Sequence, residues 1–147
     1  MSRIDTIEDE LREAMKARDA ERRDALRLIL NALKGSQKEL QRPLTEEEEL
    51  QVLQRERKRL IEAAEAFRSG GRVGQAAGEE RELAILEEFM PTPLSEEEIE
   101  EIVDDVIAEV GATSMADLRR VMADVMPQVA GRADGSVVSQ IVREKLA

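Results

Sequence analysis

Apolar residues recur along this chain at steps of three and four positions, the spacing that lines one face of an α-helix. The first such pattern begins at Ile4, and the second follows Asp19, a residue type that favours helix N-caps. The second pattern has Gly35 and Ser36 near its end. The two helices should form a hairpin.

Two further patterns follow in the N-terminal part. Thr45 and Glu48 have the spacing of a capping box, so a third helix should begin there, and Gly70 and Gly71 should stop it. Its predicted apolar face comprises Leu50, Leu53, Leu60, Ile61, Ala64 and Phe67. A fourth helix precedes Met90 and is apolar on two sides. Such a helix is typically sandwiched between neighbours, which favours a role in connecting two modules.

The stretch from Met90 to Leu94 contains two prolines in three residues, which excludes a continuous helix. We take it as a domain boundary. The predicted organisation is an N-terminal helical domain over residues 1–90, a linker over residues 91–94 and a C-terminal tail domain over residues 95–147.

Three capped apolar patterns follow this boundary. They begin at Ser95, Ser114 and Asp134, and we predict that Pro127 and Gly131 end the second. The predicted core includes methionines at helical spacing, Met115, Met122 and Met126. Because methionine adapts to varied ligands, a partner groove is the alternative for this stripe. The predicted fold class is all-α, an N-terminal helical hairpin plus long helices followed by a compact three-helix C-terminal module.

The residue types that are missing restrict the chemistry. The chain has no cysteine and no histidine, so it lacks disulfides, thiolate ligands and the commonest general base near neutral pH. Glutamates cluster at residues 46–49 and 96–98, where they could hold Mg²⁺ or act as an acid–base pair. Both clusters coincide with predicted helix starts, where carboxylates stabilise the helix dipole. We therefore expect no catalytic residue, no metal site and no cofactor.

The net charge of −11 argues against nucleic-acid binding, which relies on Lys and Arg near phosphates. The distribution changes this picture. Up to Leu94 the chain has 17 basic and 21 acidic residues, and from Ser95 onward it has 5 and 12. Most of the second set of acidic residues lies between Glu96 and Glu109, and beyond Gly111 five basic residues accompany four acidic ones. A locally neutral or basic surface is therefore compatible with this acidic chain.

The first residues, from Met1 to Asp5, alternate charged and apolar side chains. They contain no apolar run of the kind found in signal peptides or membrane spans. We therefore expect a cytoplasmic protein without a membrane partner.

Several short motifs, taken together in their order and spacing, resemble the YqeY family along almost the whole chain. The motifs are Leu44 through Glu48, Phe67 through Arg72, Glu88 through Pro91, Leu94 through Ile99, Glu109 through Ala112, Val121-Met122 and Gly131 through Gly135. The chain departs from the family pattern at Arg119, where the family often has glycine, and at Arg57, where the family tends to be apolar.

The YqeY family is similar to the C-terminal helical and tail region of the GatB subunit of tRNA-dependent amidotransferase. That enzyme converts misacylated Glu-tRNA or Asp-tRNA to the amide. Its tail helps to hold tRNA, while glutamine hydrolysis and the kinase-like step belong to other domains. The resemblance therefore implies a non-catalytic tRNA-binding accessory module, and a carbon-nitrogen ligase activity would be attributed to it only by similarity to GatB.

The stretch from Gly131 to Ser136 is the strongest candidate site. Amides at a helix N-terminus bind phosphate, and Arg132 adds charge. The alternative is a tight turn with an N-cap, in which the carboxylate of Asp134 occupies the amides itself. The predicted nucleic-acid-binding residues are Arg119, Arg120, Arg132, Gly135, Ser136 and Arg143. Their convergence on one surface would favour RNA binding.

Two alternatives complete the functional analysis. Arg55, Lys58 and Arg59 share one surface of the third helix and could contact phosphate, but we favour a solvated face neutralised by neighbouring glutamates.

The chain as a whole is either a tRNA-binding accessory that recognises RNA shape or a protein-interaction adaptor. In the second case the acidic helix from Glu96 to Glu109 would meet a basic partner, such as a tRNA-binding enzyme.

Overall fold

The computed structural model describes residues 2–147, and this part of the chain contains helices and no strand. The α-helices are α1 (Arg3–Lys16), α2 (Ala20–Leu40), α3 (Glu46–Ser69), α4 (Val73–Glu87), α5 (Glu96–Val110), α6 (Leu118–Val129) and α7 (Gly135–Leu146). A 3-10 turn, Met115–Asp117, precedes α6. The all-α prediction is confirmed. The chain divides after Met90 into two compact units, called the first and second unit below.

Helix starts in both units follow the capping chemistry of the sequence. The hydroxyl of Thr45 accepts from the amide of Glu48 at 3.2 Å, and the Glu48 carboxylate accepts from the Thr45 amide at 2.9 Å. Ser95 and Glu98 form the same reciprocal pair. Asp19 accepts from the amide of Arg22 at 3.1 Å. Each cap satisfies amides that a helix start leaves without an intrahelical acceptor.

The connection from α1 to α2 is short. The amide of Arg18 donates to the carbonyl of Met15 at 3.2 Å, and the amide of Asp19 donates to that of Ala14 at 3.0 Å. This pattern is a Schellman motif, whose penultimate residue is usually glycine in the left-handed region. Here Arg18 occupies that position with φ of 57°.

The core of the first unit is aliphatic. Its fully or nearly fully buried side chains are Ile4, Ile7, Ala14, Leu26, Ile29, Leu30, Leu33, Val52, Leu53, Leu60 and Leu86. α1 packs on α2, as the predicted hairpin requires, and α4 contacts both α2 and α3. The two-sided apolar pattern of α4 thus reflects two neighbours within the first unit.

A buried ion pair lies at the start of α3. Glu49, one of the four glutamates clustered at this helix start, is only 6% exposed. The Arg3 guanidinium approaches its carboxylate at 3.4 Å through Nη1 and donates to the Phe89 carbonyl through Nε at 3.0 Å. This pairing satisfies a carboxylate that would otherwise be costly to bury.

The second unit has its own core, built by α5, α6 and α7. Its buried side chains are Ile99, Val103, Val106, Val121, Val125, Val129, Ala133, Val138, Ile141, Val142 and Leu146. Residues 91–94, called the strap below, pack onto this unit. Leu94 contacts the core, and its amide donates to the carbonyl of Arg132 at 2.8 Å.

Two helices continue past residues expected at or near their ends. α2 continues through Gly35 to Leu40, because a single helical glycine costs only about 1 kcal/mol and Leu33, two residues before it, is fully buried. α6 continues through Pro127 and ends at Val129. Proline removes one helical hydrogen bond, and the carbonyl that loses it belongs to Ala123, which is exposed and open to water.

The methionine predictions are partly wrong. Met115 is 42% exposed, so it does not belong to the core. Ser114 caps the 3-10 turn rather than an α-helix, which rotates Met115 away from the face of α6. Met122 and Met126 are half-buried against the second core, as the helical spacing predicted.

Candidate nucleic-acid interface

The turn between α6 and α7 adopts the capped form that the sequence offered as the alternative to an anion site. One carboxylate oxygen of Asp134, Oδ1, accepts from the amide and the hydroxyl of Ser136, both at 2.9 Å. Gly131, with φ of 72°, provides the left-handed step that reverses the chain. The Ser136 amide therefore already has an acceptor. The Gly135 amide has none within the described residues and points from the first turn of α7.

Arg132 connects this turn to the strap. Its Nε donates to the carbonyl of Thr92 at 3.0 Å, while its own carbonyl accepts from Leu94. The pKa of Glu98 lies below its ordinary value because Ser95 donates to its carboxylate, and the charge of Arg132 makes a smaller contribution. Arg132 thus has a structural role that motif spacing did not reveal.

The other predicted arginines lie on exposed helix surfaces. Arg119 makes no hydrogen bond or ion pair with any described residue. Arg120 pairs with Asp117 at 3.0 Å, one turn earlier. Arg143 lies in the last turn of α7 and donates to the Ser139 hydroxyl at 3.3 Å. A cation there also stabilises the negative end of the helix dipole.

The six predicted residues do not form one cluster. Arg119 and Arg120 lie in the first turn of α6, whereas Arg132 follows its C-terminal end. The ten residue steps from Arg119 to Val129 span roughly 15 Å of helix axis. Arg132, Gly135 and Ser136 share the α6–α7 turn, and Arg143 lies two turns further along α7. Any ligand that contacts all of them is extended.

Acidic side chains dominate the exposed face of α5. Lys145 pairs with Asp104 at 3.0 Å. The carboxylates of this helix that have no ion pair with a described residue are Glu96, Glu97, Glu98, Glu100, Glu101, Asp105 and Glu109, of which Glu98 accepts from the amide of Ser95. This face repels phosphate and attracts basic groups.

The basic stripe of α3 corresponds to the solvated face that we favoured. Arg59 donates to one carboxylate oxygen of Glu56 at 2.8 and 3.1 Å, so its charge is largely neutralised. Arg55 is exposed and has no ion pair with a described residue. Arg57, the residue that departs from the family pattern in this helix, has its Nε 3.6 Å from the carboxylate of Glu87.

The described residues contain no group of three or more histidine, cysteine, aspartate or glutamate side chains arranged to hold a metal ion. Within residues 2–147, no helix combines the length and apolar character needed to cross a bilayer.

Comparison with known proteins identifies relatives of this chain. Over 99 residues it is 36% identical to a Glutamyl-tRNA(Gln) amidotransferase subunit from Thermococcus gammatolerans, a match that covers 56% of this chain and 16% of the relative. It is 35% identical over 72 residues to the protein of the same name from Thermococcus sibiricus, which covers 46% of this chain and 11% of that protein. The chain therefore spans only a small part of these relatives.

The family model described as Yqey-like protein matches residues 4–146, which confirms the resemblance seen in the motifs. With this match over nearly its whole length, the chain belongs to the YqeY family.

Proposed function

We propose that this protein is a non-catalytic accessory that holds tRNA through its second unit. One observation carries the proposal. Arg119 and Arg143 project from an otherwise acidic unit without an ion pair to any described residue. Exposed arginines without carboxylate partners are the groups that displace counterions from phosphates.

The relatives support tRNA as the ligand. Their name describes part of an enzyme acting on Glutamyl-tRNA(Gln). Because this chain covers a small part of them, the likeness supports a shared module rather than the whole enzyme's activity. The chain has only two aromatic residues, so recognition would rest on phosphate positions and RNA shape rather than on base stacking.

Contacts from Arg119, Arg120, Arg132 and Arg143 would engage about four phosphates. The slope of log affinity against log salt should then be about −3 to −4. Binding would fall steeply at moderate salt. The acidic face of α5 would repel RNA on its side of the unit and restrict the docking orientation.

The test is a tRNA titration at several salt concentrations with Arg119→Glu and Arg143→Glu, and with Arg55→Glu as the matched control. Arg55 is equally exposed and lacks an ion pair with a described residue, but it belongs to the first unit. Charge reversal at Arg119 or Arg143 should weaken binding at least about tenfold, the loss expected for a charged hydrogen bond. Absence of binding at low salt, or loss caused by Arg55→Glu alone, would refute the proposal.

Arg132→Glu should also weaken binding, but this change breaks the hydrogen bond to Thr92 as well. Arg132→Gln is therefore the better variant, because it removes the charge and keeps a side-chain donor for the Thr92 carbonyl. Unchanged tRNA affinity with a lower melting temperature would assign Arg132 a structural role alone.

A further variant addresses the α7 start. Asp134→Ala removes the carboxylate that accepts from Ser136. If the amides of Gly135 and Ser136 contact phosphate, this variant should bind tRNA more tightly than wild type despite its weaker cap. Weaker binding by a folded Asp134→Ala protein would exclude those amides from the interface.

The proposal includes the absence of amidotransferase activity. Without cysteine and histidine, the chain lacks the usual nucleophile and base of glutamine hydrolysis. Purified protein should therefore release no glutamate from glutamine. Hydrolysis that a single point mutation abolishes would contradict this expectation.

A second candidate function is protein interaction through the acidic face of α5. The exposed carboxylates without ion pairs favour a basic partner, such as a tRNA-binding enzyme. A pull-down that identifies both RNA and protein separates the two functions. Glu100→Lys together with Glu101→Lys should remove a bound protein and leave RNA binding intact or stronger.

A further inference from the structure

A surface cavity lies in the first unit where α1 ends and α2 begins. Its volume is about 210 Å³, and its lining residues are Ala14, Met15, Arg18, Asp19, Ala20, Arg23 and Arg27. Three of these side chains are guanidinium groups and one is a carboxylate. A strongly acidic chain thus has a basic cavity at the turn of its N-terminal hairpin.

Helix geometry explains why the arginines converge. Ala20, Arg23 and Arg27 follow at steps of three and four, so they lie on one face of α2. Arg18 reaches the same place from the Schellman motif, where its left-handed backbone turns the chain from α1 into α2. Two elements therefore bring positive charge to one cavity.

Most of the positive charge in the cavity is not neutralised. Arg18 and Arg27 are exposed and form no ion pair with a described residue. Arg23 donates through its Nε to Asp24 at 2.9 Å. The carboxylate of Asp19 caps α2 by accepting from Arg22. Two guanidinium groups thus remain available to a ligand.

The dipole of α2 adds to the positive electrostatic potential that the arginines create in the cavity. Ala20 is the first residue of the 21-residue α2, so the positive end of its dipole faces the cavity. At the end of α1, amides of Ala17, Arg18 and Asp19 already satisfy the last carbonyls. The negative end of α1 is therefore largely compensated.

We infer that this cavity is a phosphate-binding site, separate from the proposed tRNA contacts of the second unit. Guanidinium groups bind phosphate oxygens through paired, charge-assisted hydrogen bonds, and a helix N-terminus adds amide donors. The volume far exceeds the roughly 30 Å³ that a water molecule occupies in the liquid, so a phosphate group fits with solvent. The shared chemistry suits either a backbone phosphate of RNA or a free phosphorylated small molecule.

The strained backbone of Arg18 is consistent with this assignment. Glycine would satisfy the Schellman motif without strain, yet this position has an arginine. Residues in unfavourable backbone conformations are concentrated at functional sites. The strain agrees with the assignment of a phosphate site, which itself rests on the cavity and on the charges of its arginines.

The test is a titration of the full chain with inorganic phosphate, followed by amide NMR, against sodium chloride of equal ionic strength. Saturable shifts are expected at the amides of Arg18, Asp19 and Ala20. Arg18→Gly and Arg27→Ala should each weaken phosphate binding at least about tenfold. Arg55→Ala should bind as wild type does.

Arg18→Gly has a particular advantage, since glycine preserves the left-handed turn and removes only the side chain. If the folded Arg18→Gly protein no longer binds phosphate, the loss therefore reflects the missing guanidinium and not a changed turn. Gln41→Gly, at the other non-glycine residue with positive φ in the described part of the chain, controls for added flexibility and should leave binding unchanged. Shifts no larger than those caused by chloride, or wild-type binding by both Arg18→Gly and Arg27→Ala, would overturn the inference.

A second arm identifies the source of the phosphate. If RNA provides it, tRNA should displace inorganic phosphate from Ala20 and Arg27→Ala should lower tRNA affinity. If a small molecule provides it, adenosine monophosphate should displace phosphate while tRNA does not. Either result supports the site. Failure of the tRNA proposal would be detected separately, as unchanged tRNA affinity in the Arg119→Glu and Arg143→Glu variants.

Discussion

Replacing Arg18 by glycine should stabilise the first unit. An L-residue in the left-handed region costs about 1–2 kcal/mol, and Arg18 has φ of 57°. Glycine avoids that cost but loses about 0.5–1 kcal/mol of conformational entropy on folding. Arg18 makes no ion pair whose loss would offset the gain. We therefore expect the free energy of unfolding to rise by about 0.5–1 kcal/mol.

Gln41 provides a matched comparison. It has φ of 55° at the end of α2, where its amide donates to the carbonyl of Gln37. Gln41→Gly should give a gain of the same size. The two positions lie at opposite ends of a 21-residue helix, roughly 30 Å apart. The double variant should therefore show the sum of the two gains.

Urea unfolding followed by far-ultraviolet circular dichroism measures these changes. The midpoint should rise while the slope stays constant, because neither substitution alters the surface exposed on unfolding. Native-state amide hydrogen exchange assigns the gain to a unit. Slower exchange is expected for core amides of α2, such as Leu30, and unchanged exchange for Val125 in α6.

Two results would refute this reasoning. A loss of stability in both glycine variants would mean that the positive φ values are not strained. A loss for Arg18→Gly combined with a gain for Gln41→Gly would mean that the Arg18 side chain stabilises the fold. In that case the Schellman position would have an energetic reason for arginine that does not involve a ligand.

Further predictions concern the core and the caps. Leu33→Ala should destabilise the first unit by about 2–5 kcal/mol, because Leu33 is fully buried in α2. Leu28 lies in the same helix but is 49% exposed, so Leu28→Ala should cost less than about 1.5 kcal/mol. Comparable costs of the two variants in urea unfolding would contradict the core assignment. Arg42, followed by the Thr45 amide, lowers the pKa of Glu48 to about 2. A depressed carboxyl pKa adds stability above the unfolded value, and that contribution disappears as pH falls toward 2. Glu48→Gln should therefore lower the melting temperature more at pH 7 than near pH 2, where the folded-state carboxylate is partly protonated, and an equal effect at both would exclude the ionised carboxylate as the cause.

Local chemistry made much of the fold predictable. Thr45 with Glu48, and Ser95 with Glu98, form reciprocal caps because the interaction involves residues three positions apart. Asp19 caps α2 for the same reason. Periodicity likewise assigned part of the apolar faces of the helices: in α3 it predicted Leu53 and Leu60 correctly but missed the buried Val52. These features depend on near neighbours in sequence, which pattern analysis reads directly.

Features that depend on distant neighbours were missed. Glu49 resembles the other glutamates at its helix start, but Arg3 and the first core bury it. Pro127 stays within α6 because its neighbours pack well enough to compensate for the lost hydrogen bond. No local sequence pattern predicts the burial of Glu49 or the continuation of α6 through Pro127, since both depend on tertiary packing.

The candidate site shows the same division. The sequence predicted the cap at Asp134 but left open whether the Asp134 carboxylate or a ligand accepts from the amides at the start of α7. In the structure the Ser136 amide donates to the Asp134 carboxylate. The hydrogen bond from Arg132 to Thr92 joins residues 40 positions apart. The cavity at Arg18 depends on a left-handed arginine, for which the sequence signal would be a helix end that lacks glycine.

The strap determines where a fragment that contains the second unit must begin. A fragment that begins at Ser95 would contain α5, α6 and α7 but would lack Thr92 and Leu94. The turn at Arg132 would then lose the acceptor of its guanidinium and the donor to its carbonyl, and the second core would lose an apolar side chain. Transplanting this module into another protein therefore requires four residues that have no regular secondary structure, and a graft designed from the helices alone would be incomplete.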